Sequence, residues 1–126
     1  MNNLILIIDD DDLTRSIFLE FLELENFNTV CAENGLVGLQ LAQECKPDLI
    51  LCDINMPILN GFQVLKGLRD KIDTAKIPLI FLTANTSPNY RMRALQLGAN
   101  DYLIKPIEFR QLIAAINKQF QLVPSR

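Results

Sequence analysis

The chain has 126 residues, of which 49% are hydrophobic and 21% charged, a composition that excludes a disordered chain and indicates one folded domain. The formal net charge is −3, and four of the 15 acidic residues stand together from Asp9 to Asp12, so no general positive field favours nucleic acid as a partner. The sequence contains no histidine, which excludes a histidine-based nucleophile pair or zinc site within the chain. The apolar runs are too short for a membrane span, and the local acidity favours a bound cation.

Five short apolar runs predict β-strands at 4–8, 27–31, 48–52, 78–83 and 101–104. The first, third and fourth are apolar almost without a break, which is typical of strands covered on both faces. Between the strands, apolar residues recur at helical spacing. The residues that mark these helices are Leu13, Ile17, Phe18, Phe21, Leu22 and Leu24; Leu36, Leu39 and Leu41 within 34–44; Phe62, Leu65, Leu68 and Ile72; and Phe109, Leu112, Ile113, Ile116 and Phe120. A further helix is predicted at 87–97.

The alternation of strand and helix predicts an α/β fold with a doubly wound, five-stranded parallel sheet and helices on both faces. The expected strand order is 2-1-3-4-5, as in flavodoxin-like folds. The domain is predicted to span residues 1–122, and residues 123–126 are interpreted as a short C-terminal tail.

Three cysteines, Cys31, Cys45 and Cys52, form no CxxC pair and are interpreted as small buried side chains. No signal peptide is visible after Met1. A reducing, cytoplasmic location is therefore expected for this chain.

Polar residues stand at the predicted ends of four strands. Those residues are Asp9 and Asp10 after the first strand, Asp53 after the third, Thr83 at the end of the fourth and Lys105 after the fifth. In a doubly wound sheet, ligands bind outside the carboxyl ends of the strands, where strands one and three are neighbours. Converging carboxylates repel one another unless a cation neutralises them. Oxygen ligands without histidine or cysteine favour Mg²⁺, Mn²⁺ or Ca²⁺.

Each of these residues also has a purely structural interpretation. An aspartate after a strand commonly forms a turn or caps a helix, and we expect Asp11 or Asp12 to cap the first helix. The functional interpretation depends on the conjunction of all the strand-end residues in one crevice.

Four segments carry a more specific pattern, namely ILIIDD at 5–10, DINMP at 53–57 followed by Asn60-Gly61, FLTA at 81–84, and GANDYLIKP at 98–106. In this order, they resemble a response-regulator receiver domain, and the resemblance covers essentially the whole chain. One position departs from the family pattern, because Asn60 stands where the family often has aspartate before the turn glycine. Asparagine can make the same turn.

The resemblance implies a role for each of seven residues. Asp53 is the phosphoacceptor; Asp9, Asp10, Asp53 and the backbone carbonyl of Asn55 bind Mg²⁺ or Mn²⁺; Thr83 and Lys105 contact the phosphoryl group; and Tyr102 is the switch aromatic coupled to Thr83. The family also has a cis peptide bond at the position of Lys105-Pro106.

By the same resemblance, a histidine kinase or phosphotransfer protein donates the phosphoryl group, and the chain catalyses only its own phosphorylation and dephosphorylation. The implied readout surface is the face of the fourth helix, fifth strand and fifth helix, where Asn89, Tyr90, Arg91 and Arg93 lie. This face would bind a downstream protein, and it is compatible with a dimer linked to phosphorylation. No output domain follows Arg126, which predicts a stand-alone receiver, as in chemotaxis, motility control or a phosphorelay.

Two alternatives stay open at this point. A haloacid-dehalogenase-like phosphatase also combines a nucleophilic aspartate with Mg²⁺, a hydroxyl and a lysine, but its Asp-x-Asp pattern meets Asn55 here, which cannot transfer a proton. A degenerate receiver would act as an interaction module without phosphorylation, although it would have no need of the five polar site residues. Repeated turnover of small phosphate esters would distinguish the phosphatase from a receiver.

Overall fold

A computed structural model describes residues 3–122, in which five strands and five helices alternate. The strands are β1 Leu4–Ile8, β2 Asn28–Ala32, β3 Leu49–Cys52, β4 Leu79–Thr83 and β5 Asp101–Ile104. The helices are α1 Asp12–Leu24, α2 Gly35–Cys45, α3 Gly61–Arg69, α4 Pro88–Gln96 and α5 Phe109–Leu122. All strand pairs are parallel, in the order β2-β1-β3-β4-β5, which confirms the predicted fold. The tail predicted at 123–126 lies outside the described residues.

Two apolar layers cover the sheet because side chains alternate along each strand. The layer under α2, α3 and α4 takes from the strands Leu6, Ile8, Ile50, Cys52, Leu79, Phe81 and Tyr102. The layer under α1 and α5 takes Ile5, Ile7, Leu49, Leu51, Ile80, Leu82 and Leu103. Strands β1, β3 and β4 are buried on both faces, which explains why their sequences are almost continuously apolar.

The apolar stripe predicted for α1 is only partly buried. Phe18 and Leu22 pack in the core, whereas Leu13, Ile17 and Leu24 are 68%, 44% and 74% exposed. The prediction was wrong for these three residues because a helix on a sheet buries a narrow face. Exposed leucines are common on protein surfaces, so spacing alone did not identify that face.

The third helix is shorter than its apolar pattern predicts. It ends at Arg69, so Ile72 is 96% exposed instead of facing the core. The buried Thr74 hydroxyl donates a hydrogen bond to the Leu68 carbonyl oxygen at 2.7 Å. This bond holds the chain in a turn after the helix, and Ile72 lies on the outside of that turn.

Helix α2 approaches the sheet most closely through small residues, although Leu39 and Leu41 also pack against the core. Leu36 is 53% exposed, whereas Gly38 and Ala42 are buried. A Cβ added to Gly38 would lie 2.5 Å from Cδ1 of Ile8 on β1. The close contact therefore requires glycine, a signal that a search for apolar spacing does not detect.

Side-chain caps begin the helices that border the site. The Asp11 carboxylate accepts the Thr14 N–H at 2.9 Å, which confirms that Asp11 caps α1. Asn60 and Gln63 form a capping box at the start of α3, so asparagine serves in the position where the family often has aspartate. Since Asp11 is used as a cap and Asp12 pairs with Arg15 within α1, Asp9 and Asp10 are the acids of the run that are left to face the sheet edge.

The three cysteines differ in burial. Cys52 is buried on β3, and Cys31 on β2 is half-buried, but Cys45 at the end of α2 is exposed. The prediction of burial was therefore wrong for Cys45, which lies in the last helical turn, where the chain leaves the sheet. All three are free thiols, which is consistent with a reducing environment.

Candidate functional site

The carboxyl ends of β1 and β3 bring three aspartates together. The Asp53 N–H donates to the Ile8 carbonyl oxygen at 3.0 Å, which sets Asp53 beside Asp9. One carboxylate oxygen from each of Asp9, Asp10 and Asp53 lies within 4.8 Å of the other two. Asp9 is buried, Asp53 half-buried and Asp10 exposed. The acidic cluster predicted from the sequence is thus assembled at the predicted edge of the sheet.

Lys105 reaches this cluster from the end of β5. Its backbone N–H donates to the Thr83 carbonyl oxygen at 2.8 Å, and the peptide bond that joins it to Pro106 is cis, as the resemblance implies. Its Nζ atom lies 2.9 Å from Oδ2 of Asp9 and 3.6 Å from Oδ2 of Asp53. One ammonium group therefore bridges the two less exposed carboxylates of the cluster.

The charges of the cluster are not balanced. Burial raises the pKa of Asp53 above its ordinary value of 3.8; the charge of Lys105 opposes this effect, and that of Asp9 adds to it. Burial lowers the pKa of Lys105, but the hydrogen bond to Asp9 and the attraction of Asp53 outweigh burial and raise this pKa overall. The Lys105 side chain therefore holds its positive charge. It pairs with two of the three carboxylates and does not balance the charge of all three, so a further cation would relieve their repulsion.

The donor atoms fit a hard divalent cation such as Mg²⁺, because they are carboxylate oxygens without a nitrogen or sulfur ligand among them. Both oxygens of Asp9 are already engaged, since Oδ1 accepts the Asp11 N–H at 2.9 Å and Oδ2 accepts Lys105 Nζ. Asp10 is exposed, and none of the ion pairs found within residues 3–122 involves it. Asp10 is thus the freest carboxylate of the cluster.

The loop from β3 to α3 carries Asn55, an exposed residue two positions after Asp53 and between the buried Ile54 and Met56. The Gly61 N–H donates to the Ile54 carbonyl oxygen at 2.8 Å and closes this loop. A Cβ on Gly61 would lie 2.5 Å from the Asp53 carbonyl oxygen, so glycine allows α3 to begin directly against Asp53. Cation binding by the carbonyl oxygen of Asn55 stays a prediction.

Thr83 and Tyr102 are both buried and meet at one backbone unit. The Thr83 hydroxyl oxygen accepts the Asn85 N–H at 3.3 Å, and the Tyr102 hydroxyl donates to the Asn85 carbonyl oxygen at 2.9 Å. Tyr102 is 2% exposed, so its ring already points inward. The sequence pattern pairs these two residues, but it does not reveal that Asn85 joins them, because the bonds are made by its backbone.

Arg15 is a residue of this region that sequence reasoning missed. Its guanidinium donates to the Asp9 carbonyl oxygen at 2.6 Å and pairs with the Asp12 carboxylate. The spacing of Asp12 and Arg15, three apart on a helix, could have suggested the ion pair. No sequence pattern would have suggested the contact with the Asp9 backbone.

An acidic cluster, a lysine and a buried hydroxyl at the carboxyl edge of a doubly wound sheet define an α/β protein equipped to hold a cation and a phosphoryl group. Residues 5–117 match the family model of the response regulator receiver domain. The chain belongs to this family and is the receiver domain of a two-component response regulator. The match favours the receiver over the phosphatase that the sequence had left open.

Individual relatives agree with this assignment. The chain is 44% identical to the transcriptional regulatory protein CpxR of Escherichia coli K12 over 114 residues, which are 90% of this chain and 47% of CpxR. It thus spans about half the length of that relative. It is 36% identical to the polar-differentiation response regulator DivK of Brucella anthropi over 112 residues, 89% of this chain and 91% of DivK. The chemotaxis protein CheY4 of Vibrio cholerae superposes with a TM-score of 0.89 at 27% identity, over 94% of this chain and 98% of CheY4.

Receiver domains are signalling domains that interact with a histidine kinase or a phosphotransfer protein, and they typically bind Mg²⁺ through an acidic cluster. In this chain Asp9, Asp10 and Asp53 form such an acidic group. Across residues 3–122, the helices are all too short or too polar to cross a membrane.

Proposed function

We propose that the chain is a phosphoacceptor response regulator in which Asp53 receives a phosphoryl group from a histidine kinase or phosphotransfer protein. The observation that carries the proposal is the position of the Asp53 carboxylate. It is half-buried, stands beside two further carboxylates and lies 3.6 Å from the Lys105 ammonium. A nucleophile beside one cation and beside carboxylates that would hold a second is suited to phosphoryl transfer, since charge spreads over the phosphoryl oxygens.

In the proposed step, an Asp53 carboxylate oxygen attacks the phosphorus atom of a phosphohistidine of the partner protein. The new oxygen–phosphorus bond forms as the nitrogen–phosphorus bond breaks, and the imidazole nitrogen leaves with the electron pair. Lys105 attracts one phosphoryl oxygen. Thr83 can donate its hydroxyl proton to another, because its oxygen already serves as the acceptor for Asn85.

Asp9, Asp10, Asp53 and the carbonyl oxygen of Asn55 would hold Mg²⁺, or Mn²⁺ in its place. When bound, the ion offsets the negative charge on the phosphoryl oxygens. The proposal is supported by the oxygen-only donor set and by the raised pKa of Asp53, which burial raises most, against the opposing charge of Lys105. The chain's own catalytic activity is limited to forming and losing its aspartyl phosphate.

Apolar side chains around the cluster support a protein as the phosphoryl donor. Leu13, Ile58 and Phe109 are 68%, 72% and 41% exposed, and they lie on the segments that follow β1, β3 and β5. Exposed apolar side chains on the segments that leave the carboxyl ends of these strands suit a partner protein that covers the site and excludes water during transfer.

For the output, we propose that the phosphoryl group biases the pair of Thr83 and Tyr102 and thereby the face of α4, β5 and α5. Arg91 contacts the Tyr102 carbonyl oxygen at 3.5 Å, and Arg93 lies 4.3 Å over the Phe62 ring, which supports coupling between this face and the core. Asn89 and Tyr90 belong to the same surface, which would bind a downstream protein or a second copy of the chain.

A role in chemotaxis or motility control and a location in the cytoplasm are part of this proposal, and the free thiols support the location. The stand-alone layout stays a prediction. The matched region is 47% of CpxR but 91% of DivK. The chain therefore resembles both a relative about twice as long as the match and a relative that is little longer than the match.

The proposal is tested by incubating the chain with acetyl phosphate and Mg²⁺ and measuring its intact mass. We expect one phosphoryl group per chain, stable in acid and labile in alkali, and none on Asp53→Asn, which keeps the shape of the side chain but lacks the nucleophilic carboxylate. Asp73→Asn, on an exposed loop, is the matched control and should react like the unaltered chain. Equal labelling of Asp53→Asn would refute the assignment, and no labelling of any form would favour the degenerate receiver.

A further inference from the structure

Arg15 places a largely buried positive charge next to the acidic cluster. Its side chain is 16% exposed, although it belongs to the first turns of α1. One guanidinium nitrogen donates to the Asp9 carbonyl oxygen at 2.6 Å, and the other pairs with Asp12. A guanidinium that loses most of its water beside a cation site lowers affinity for that cation through repulsion. Its position therefore calls for an explanation other than charge.

The contact with the Asp9 carbonyl provides that explanation. Asp9 is the first residue after β1, and its N–H still donates to the Ala32 carbonyl oxygen of β2 at 3.2 Å. Its carbonyl oxygen accepts the guanidinium of Arg15, a charge-assisted bond that is stronger than a neutral one. The backbone of Asp9 is thus held at its amide and at its carbonyl.

Asp11 is the next residue whose position is fixed by hydrogen bonds. Its N–H donates to Oδ1 of Asp9, and its carboxylate accepts both the N–H and the hydroxyl of Thr14. Asp10 lies between these two anchored residues, with an exposed side chain. The direction in which Asp10 points is therefore set by the backbone on either side of it, and Arg15 fixes one of those sides.

We propose that Arg15 is a positioning residue of the cation site, which orients the turn from Asp9 to Asp11 so that Asp10 faces Asp53. This inference rests on the proposed function of the acidic cluster as a divalent-cation site. Arg15 donates to the carbonyl oxygen of Asp9 and does not contact the cation itself.

Positioning and charge predict opposite changes in cation affinity when Arg15 is removed. If Arg15 acts only as a nearby positive charge, its removal should tighten cation binding, because repulsion is lost. If Arg15 orients the turn, its removal should weaken cation binding about 10-fold or more, as for other groups that orient metal ligands. A residue that merely stabilises α1 would lower the melting temperature and leave cation affinity unchanged.

The test measures Mn²⁺ affinity by electron paramagnetic resonance of the free ion, together with the melting temperature in a chelator. Removal of Arg15 also frees the Asp12 carboxylate, which could attract the ion, so the comparison is made in an Asp12→Asn background. We expect Asp12→Asn/Arg15→Met to bind Mn²⁺ about 10-fold more weakly than Asp12→Asn alone. Arg110→Met in the same background removes an exposed positive charge from α5, and we expect it to bind Mn²⁺ within about twofold of the background.

Equal or tighter Mn²⁺ binding by the Arg15→Met form would overturn the proposal while leaving the cation site in place. If the unaltered chain binds no Mn²⁺, the proposed site fails, and the role of Arg15 fails with it. If Arg15→Met does not fold, Arg15→Lys decides, since it keeps the charge but loses the geometry of the guanidinium. Weaker Mn²⁺ binding by Arg15→Lys supports positioning, and affinity equal to that of the background overturns it.

Discussion

The amino and carboxyl edges of the sheet, where the strands begin and end, differ in how their charged side chains are paired. At the amino edge, Arg69 donates to the carbonyl oxygens of Ile77 and Gly98 and to Oδ1 of Asn100, at 2.8–3.3 Å. The same Asn100 oxygen accepts the Leu79 N–H at 3.0 Å. One cation thus closes two loops with backbone and amide partners, and within the described part of the chain it takes part in no ion pair.

At the carboxyl edge, charges of one sign are gathered and only partly neutralised. Asp9, Asp10 and Asp53 present their oxygens within 4.8 Å of one another, and Lys105 alone bridges two of them. The pKa of Asp53 is raised, first by burial, so the folded state disfavours its charge. Arg69 at the amino edge is thus paired in a way that stabilises the fold, whereas the repelling carboxylates of the carboxyl edge are the groups to which we assign the proposed function.

The largest change in the free energy of unfolding is expected for a substitution at the amino edge. Arg69→Met should lower the free energy of unfolding by about 2–4 kcal/mol, because three oxygen acceptors lose a charged donor at a half-buried position. Urea unfolding measures this loss. Mg²⁺ affinity should change by less than about twofold, since the carboxyl edge is untouched.

The matched control for this variant is Lys66→Met, one turn earlier on α3. Lys66 pairs with Asp70 at 3.0 Å, but both side chains are mostly exposed, so the loss should be below about 0.5 kcal/mol. A change of Mg²⁺ affinity as large as that of a site variant would contradict the separation of the two edges.

At the carboxyl edge, a substitution is expected to change the free energy of unfolding by less and in the opposite direction. Asp10→Asn removes one of three repelling charges, so the free energy of unfolding without Mg²⁺ should stay equal or rise by about 0.5–1 kcal/mol. Mg²⁺ affinity should fall, since Asp10 is the freest ligand of the cluster. Urea unfolding in a chelator and calorimetric titration with Mg²⁺ measure the two quantities. A clear loss of stability without Mg²⁺ would favour a structural role of the acidic run.

The sequence alone predicted the carboxyl edge better than the helix faces. Strand ends could be located because β1, β3 and β4 are almost continuously apolar, and the polar residue that ends each run is conspicuous. Helix faces could not be located as well. The leucines of α1 are abundant enough to mark more than one face, and α2 contacts β1 through Gly38, which adds nothing to an apolar pattern.

Hydrogen bonds to backbone groups could not be predicted from the sequence. Arg15 binds the carbonyl oxygen of Asp9, and Asn85 joins Thr83 to Tyr102 through its amide and carbonyl groups. Every residue has these groups, so its identity does not reveal their partners. The early end of α3 belongs to the same class, because the Thr74 hydroxyl bonds to a backbone oxygen.

The most direct test of the central claim maps the phosphorylated residue itself. After reaction with acetyl phosphate and Mg²⁺, reduction with borohydride converts an aspartyl phosphate to homoserine, which peptide mass spectrometry locates in the unaltered chain. We predict homoserine at position 53 alone. Both oxygens of Asp9 accept close hydrogen bonds, whereas Oδ2 of Asp53 lies 3.6 Å from the Lys105 ammonium, beyond hydrogen-bond distance, and Asp53 is less exposed than Asp10. Homoserine at position 9 or 10, or at a residue outside the carboxyl edge, would contradict the account.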